Sequence, residues 1–167
     1  MSDSQVNEMK AGETQASFQI EKIYVKDLSL ELPNAPQVFL QAETPQLDVQ
    51  INNDAVQLSD GLYEVVVTVT VTARGAEKTL FLAEAAQAGI FSVRGVPQPD
   101  IDPLLGIACP NILYPYVRET ISDLVVRGGF PPVLLAPVSF EALYMQRQQL
   151  QQQQGGAQPE PGALNSG

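Results

Sequence analysis

The sequence predicts an α+β domain, in which a four-stranded antiparallel sheet is followed by two helices packed on it. Between Ser17 and Phe91, apolar residues alternate with polar residues at the period of a half-buried strand, and short turns interrupt the alternation. Beyond Pro103, apolar residues recur about every four positions, which is the period of a helix. Because the strands come first and the helices afterwards, we expect the helices to cover one face of the sheet.

The first predicted strand runs from Phe18 to Leu32, and Pro33 ends it. Its apolar residues change phase after Ile20 and again after Val25. A change of one residue moves the side chains to the other face, so we expect bulges or a bend. The strand should therefore present apolar side chains on both faces in turn.

Three further strands complete the predicted sheet. The second alternates from Leu47 to Ile51 and is bounded by the polar residues 52–54, and the fourth runs from Leu80 to Phe91. The third is the clearest, because one of its faces carries Tyr63, Val65, Val67, Val69 and Val71. Short turns between successive strands indicate antiparallel pairing.

Two helices are predicted after the sheet. In the first, Pro110 can occupy the first turn, Pro115 either kinks the helix or delays its start, and Gly128 follows its end. Ser139 is a natural N-cap for the second, which follows a proline-rich connector. The predicted organisation is a flexible N-terminal extension over residues 1–16, a folded domain over 17–150, and a disordered Gln/Gly/Pro-rich tail over 151–167.

Composition narrows the possible partners and the compartment. The 167 residues carry 19 acids and 9 bases, a net charge of −10, and most of the acids precede residue 105. Such a surface repels nucleic acid and anionic lipid and attracts basic partners, although acidity also serves solubility alone. The start has no signal-peptide pattern, and no segment approaches the roughly 20 apolar residues of a membrane span. We therefore expect a soluble cytoplasmic protein that does not insert into the membrane.

Residues for catalysis are scarce. The chain has no histidine, which removes the usual general base, and it has no Gly-Lys-Ser/Thr phosphate loop. An enzyme would have to depend on Cys109, which lacks a histidine partner, or on Asp100 and Asp102, which offer too few oxygen ligands for a cation. We expect no catalytic residue, no metal and no cofactor. The surplus of apolar residues instead indicates self-association, ligand binding, or both.

Several motifs between about residues 17 and 150 occur together in a recognisable order. The most specific is CPNILYPYVRE at 109–119, which is preceded by IYVKDLS at 23–29 and LYEVVV at 62–67 and followed by GFPP at 129–132. In this order they resemble the SecB family of bacterial protein-export chaperones.

The resemblance implies a fold, an assembly and an activity. The fold is the four-stranded sheet with two helices, assembled as a homotetramer that is a dimer of dimers. The first helix would lie between dimers, with the interface residues Ile112, Tyr116, Val117, Ile121 and Leu124. The activity is that of an ATP-independent chaperone that holds unfolded secretory preproteins and delivers them to SecA, the translocation ATPase.

The resemblance also suggests the site residues. The family motif places the SecA contact on Asp27, Glu31, Leu82 and Glu84, although three of these are also consistent with ordinary solvated carboxylates. The residues predicted to line the client groove are Leu28, Leu30, Phe39, Leu47, Val49, Phe140, Leu143 and Tyr144. The alternative function is that of an oligomeric adaptor that binds one specific folded partner.

Overall fold

The computed structural model of the protein describes residues 15–41 and 44–156. These residues form a four-stranded antiparallel sheet in the spatial order β1-β4-β3-β2. The strands are β1 (Ser17–Glu31), β2 (Gln46–Ser59), β3 (Leu62–Arg74) and β4 (Thr79–Arg94), and a short 3-10 turn covers Gln37–Leu40. The predicted sheet is confirmed, with β1 and β2 as its two edges.

The helical part begins earlier than the sequence indicated. A short helix α1 (Gln98–Pro103) leads through a π-helical turn (Leu104–Ala108) into α2 (Cys109–Arg127), and α3 (Phe140–Gly155) follows the connector. The two long predicted helices are α2 and α3. Helix α2 starts at Cys109, so Pro115 does not delay it, and Ser139 caps α3 by accepting a hydrogen bond from the Ala142 amide at 3.2 Å.

The predicted ends of the domain are only partly covered by the structure. Helix α3 continues to Gly155, beyond the predicted boundary at residue 150, because its glutamines continue the helix. Residues 1–14 and 157–167 lie outside the described residues, so most of the predicted extension and tail remain predictions.

Helix α2 packs on one face of the sheet, which we call the helix side; the other is the outer face. The alternating residues of β3 from Tyr63 to Ala73 point to the helix side and are buried there. Gly89 in β4 permits close packing, since a Cβ atom there would lie 3.1 Å from Leu113 of α2. Burial of this apolar surface is the main stabilising contribution to the fold.

Strand β1 contains the two irregularities that its phase changes predict. Glu21 and Lys26 have no partner in the ladder with β4, so each is the extra residue of a bulge. Each bulge returns the following apolar residues to the helix side, where they pair with helix-side positions of β4: Phe18, Ile20, Ile23, Val25, Leu28 and Leu30. The expectation of apolar side chains on both faces is therefore wrong, since the bulges keep them on one.

Strand β2 is longer than predicted. It continues through residues 52–54 to Ser59, and the chain turns at Asp60-Gly61 instead. Asn53 points to the helix side, where its side-chain oxygen accepts a hydrogen bond from Arg147 of α3 at 3.0 Å. This tertiary contact allows a polar residue to continue the strand where the sequence indicated a turn.

Candidate binding surfaces

An apolar groove runs along β2 on the helix side, between this strand and residues 128–139, which we call the connector. One part of this connector groove has a volume of about 500 Å³ and a second part about 300 Å³. Leu47, Val133 and Leu134 line both parts, which makes the groove continuous. Leu134 lies on the connector with 83% of its surface exposed.

Three phenylalanines form the wider end of the groove. Phe130 lies between the other two, with ring centroids 4.9 Å from Phe81 and 5.3 Å from Phe39. Phe81 is buried in the sheet, whereas Phe39 belongs to the 3-10 turn and is half exposed. Such contacts fix the positions of aromatic rings that still present apolar surface to an incoming chain.

The connector is held at a distance from β2 by its prolines and by one tyrosine. Pro131, Pro132 and Pro137 have no amide hydrogen and fixed φ angles, so the connector cannot pair with β2 as a regular fifth strand. The hydroxyl of Tyr114 in α2 donates a hydrogen bond to the carbonyl of Ala136. The groove therefore remains open between two walls that belong to different elements.

Three of the eight predicted groove residues line this groove. Phe39 and Leu47 lie in its wider part, and Leu47 and Val49 in the narrower part. The sequence analysis missed the connector side of the groove, which includes Phe130, Val133 and Leu134. The signal was a run of apolar residues next to prolines, which follows neither the period of a helix nor that of a strand.

The other five predicted groove residues do not line the connector groove. Leu28 and Leu30 lie on β1, at the opposite edge of the sheet. Phe140 is only 1% exposed and packs against Tyr114 as part of the core. Leu143 and Tyr144 are on α3 and do not line the groove.

Tyr144 instead helps to attach α3 to the rest of the domain. Its ring packs on Gly106, where a Cβ atom would lie 2.7 Å from the ring, and its hydroxyl donates to Asp102 at 2.8 Å. This hydrogen bond raises the pKa of the Tyr144 hydroxyl. Asp102 therefore contacts a tyrosine within the fold.

The outer face brings together the four residues predicted to contact a partner. Glu31 pairs with Leu82, and Asp27 pairs with Ala86, which is two positions from Glu84. The Thr70 hydroxyl donates to Glu84 at 2.8 Å and orients its carboxylate. The result is one surface that carries Leu82 and Glu31 at one end, Glu84 in the next row and Asp27 in the row beyond, which we call the acidic face.

A hydrogen-bonded cluster lies beside the acidic face. Glu64 of β3 accepts hydrogen bonds from Lys26, at 2.6 Å, and from the Tyr24 hydroxyl, both on β1. The Lys26 ammonium, followed by the Tyr24 hydroxyl, lowers the pKa of Glu64. The same carboxylate raises the pKa of Tyr24 to about 12. Glu64 is thus ionised at neutral pH and joins an edge strand to β3 across β4.

The predicted oligomer-interface residues divide into two groups. Val117, Ile121 and Leu124 are buried against the sheet of their own chain and expose little side-chain surface to another chain, so their place in an intermolecular contact stays a prediction that burial does not favour. The sequence shows a broad apolar face on α2, but it does not show which part of that face packs on the chain's own sheet. Tyr116 is 49% exposed and Ile112 is partly buried at the edge of the core, so both still offer surface to another chain.

Cys109 has no features of a nucleophile. Its side chain is fully buried at the start of α2, and burial raises the pKa of the thiol to about 12. The thiol is therefore protonated at neutral pH, and a protonated thiol is a poor nucleophile. Cys109 acts as a small apolar residue of the core.

The described residues contain no cluster of three or more side chains suited to a metal ion. Among the helices of residues 15–41 and 44–156, none is both long and apolar enough to cross a membrane. What the domain presents is an apolar groove on one side of a sheet and an acidic face on the other. The fold and these two surfaces are typical of a protein that binds other proteins or peptides.

Comparison with known proteins gives the family. The family model described as "Preprotein translocase subunit SecB" matches residues 11–152. Protein-export protein SecB of Methylobacillus flagellatus is 62% identical over 147 residues, which cover 88% of this chain and 94% of that protein. The corresponding protein of Chromobacterium violaceum is 61% identical over 145 residues, covering 87% and 97% respectively. The chain belongs to the SecB family of protein-export chaperones, as its motifs predicted.

A solved structure agrees at the level of the fold. The SecB-like chaperone of Mycobacterium tuberculosis, determined in complex with a peptide from an antitoxin, superposes with a TM-score of 0.61. It is 19% identical in sequence, and the match covers 72% of this chain and 90% of that one.

Proposed function

We propose that this protein is an ATP-independent chaperone of the cytoplasm that binds unfolded preproteins in the connector groove and delivers them to SecA. The observation that carries the proposal is the exposed apolar groove in a chain of the SecB family. Monomeric soluble proteins seldom leave such a surface open unless something binds it.

The groove suits a chain that has not folded. Burying apolar surface contributes about 25 cal/mol per Å² without directional requirements, so the groove can accept many sequences. Strand β2 is an edge strand, and its outward backbone groups have no strand partner in the described part of the chain. An extended client could pair with them, and such bonds do not depend on its side chains. Neither contribution distinguishes one unfolded protein from another.

Assembly would multiply these weak contacts. The isolated chain exposes apolar side chains at Ile20, Val25 and Leu28 on β1 and at Tyr116 on α2. Their exposure supports the homotetramer, a dimer of dimers, with β1 and the free part of α2 in the contacts. A client that occupies several grooves of one assembly gains affinity through effective concentration.

The acidic face is the proposed contact with SecA. Asp27, Glu31 and Glu84 would attract a basic surface of the partner, while Leu82 would supply an apolar contact beside Glu31. Charge attraction of this kind accelerates association and is screened by salt. A dissociation constant that does not change with salt would count against this part of the proposal.

The test is light scattering of a denatured secretory protein diluted into buffer without ATP. We expect near-stoichiometric tetramer to lower the scattering, and to do so for several unrelated clients. Protection of one client only would favour the adaptor that recognises a single folded partner. Unchanged scattering for every client would refute the chaperone activity.

A further inference from the structure

The bulge at Lys26 decides which residues of β1 reach the acidic face. Val25, before the bulge, points to the helix side, and Asp27 after it points outward beside Ala86. In a regular strand Asp27 would share the face of Val25, and Leu28 would point outward in its place. The position of Asp27 and Glu31 on the acidic face therefore depends on this single extra residue.

The extra residue of the bulge, Lys26, has no ladder partner, although Val25 and Asp27 on either side of it pair with Gln87 and Ala86. Side chains add further contacts at this point. On the outer face Lys26 and Tyr24 both reach Glu64, across the part of β4 where Ala88 leaves room. On the helix side the Gln87 amide donates to the Tyr24 carbonyl at 3.1 Å. The residues at and just before the bulge are thus contacted from the two faces of the sheet.

The ion pair also determines where the positive charge of Lys26 lies. Lys26, Asp27 and Glu84 line the same depression of about 390 Å³ on the outer face. An ammonium released from Glu64 could pair with Asp27 or Glu84 and cancel part of the charge that attracts a basic partner. Glu64 is only 14% exposed, so its pair with Lys26 is better shielded from water than an ordinary surface pair.

We propose that Glu64 is a positioning residue for the acidic face: it anchors the bulge and keeps the Lys26 ammonium away from Asp27 and Glu84. Glu64 would not itself contact the partner. The inference rests on the proposed function, because it concerns the surface that would bind SecA.

The test compares the variants Glu64→Gln and Asp60→Asn in the full-length protein. Both remove one negative charge, and the control position lies in the turn between β2 and β3, where Asn-Gly is as suitable as Asp-Gly. Glutamine keeps an acceptor for Tyr24 but loses the ion pair with Lys26. We expect Glu64→Gln to bind SecA about fivefold more weakly at low salt, and Asp60→Asn to bind within about twofold of the unmodified protein.

Two further readouts separate positioning from a general loss of structure. Hydrogen exchange should become faster at the amides of residues 25–31 in Glu64→Gln, while suppression of client aggregation stays unchanged because the connector groove is on the helix side. The exchanged pair Lys26→Glu with Glu64→Lys restores an ion pair at the original net charge. It should recover SecA binding to within about twofold of the unmodified protein.

Each outcome has a distinct meaning. If Glu64→Gln binds SecA normally while Asp27→Asn does not, the acidic face is correct and the role of Glu64 is wrong. If Glu64→Gln binds weakly but the exchanged pair gives no recovery, Glu64 acts through its own charge, which also overturns the inference. If the unmodified protein does not bind SecA, the docking part of the proposed function fails, and exchange at 25–31 still decides whether Glu64 holds the bulge.

Discussion

Leu134 provides the sharpest test of the connector groove. It lines both parts of the groove, and with 83% of its surface exposed it contributes little to the stability of the chain. Full burial of a leucine side chain is worth about 1.5–3 kcal/mol, so a client that covers Leu134 gains about 1.2–2.5 kcal/mol from it. Leu134→Ser should remove most of this free energy, which corresponds to a loss of affinity of about 7- to 60-fold.

The assay is fluorescence anisotropy with a short, labelled, apolar peptide that can occupy only one groove. A long client would engage several grooves and conceal the change through effective concentration. Leu150→Ser is the matched control, because Leu150 is an exposed leucine of α3 away from the groove. An unchanged peptide affinity in Leu134→Ser, with the thermal midpoint preserved, would refute the assignment of the groove as the client site.

Three further predictions concern stability. Gly89→Ala should lower the free energy of unfolding by about 1–3 kcal/mol, because the added Cβ atom would lie 2.7 Å from the ring of Phe91, and chemical denaturation measures this. Ser139→Ala should cost about 1 kcal/mol through loss of the cap of α3; unchanged amide exchange in the first turn of that helix would contradict it. The pKa of Glu64 is lowered on folding, so the ionised Glu64 carboxylate stabilises the folded state. This contribution is fully present above the ordinary carboxyl pKa of 4.5, and it is lost as the pH falls through the lower pKa of the folded state. The difference in unfolding free energy between the unmodified protein and Glu64→Gln should therefore be constant from pH 7 to about 5 and decrease below about 4.5; an increase on acidification would contradict the sign of the shift.

The sheet could be predicted from the sequence in some detail. The valines of β3 showed the period of a strand with one buried face, and the two phase changes in β1 located its bulges. The direction of the apolar side chains after each bulge was predicted wrongly. Periodicity shows that the apolar positions of β1 change phase. Only the pairing with β4 shows that the backbone bulges at the same points, which keeps the apolar side chains on one face.

In the helical part, the sequence did not show which apolar residues belong to the core and which lie on the surface. Val117 and Ile121 belong to an apolar helix face that is equally suited to a neighbouring chain and to the chain's own sheet, and the structure assigns them to the sheet. Leu134 shows the opposite case, because an apolar residue in a proline-rich connector belongs to no periodic pattern. The connector side of the groove could therefore be found only when tertiary structure placed it opposite β2.

The alternation of side chains along β2 bears on the order in which client and SecA would bind. Leu47 and Val49 point into the connector groove, whereas Asp48 and Gln50, between them in the chain, point to the outer face. The two proposed binding surfaces lie on opposite faces of the sheet, the groove along the β2 edge and the acidic face on β1 and β4. If both surfaces act as proposed, a groove filled with client would leave the acidic face accessible, and SecA would bind a loaded chaperone as readily as an empty one. Client transfer could then take place within a three-component complex, without prior release into the surrounding solution.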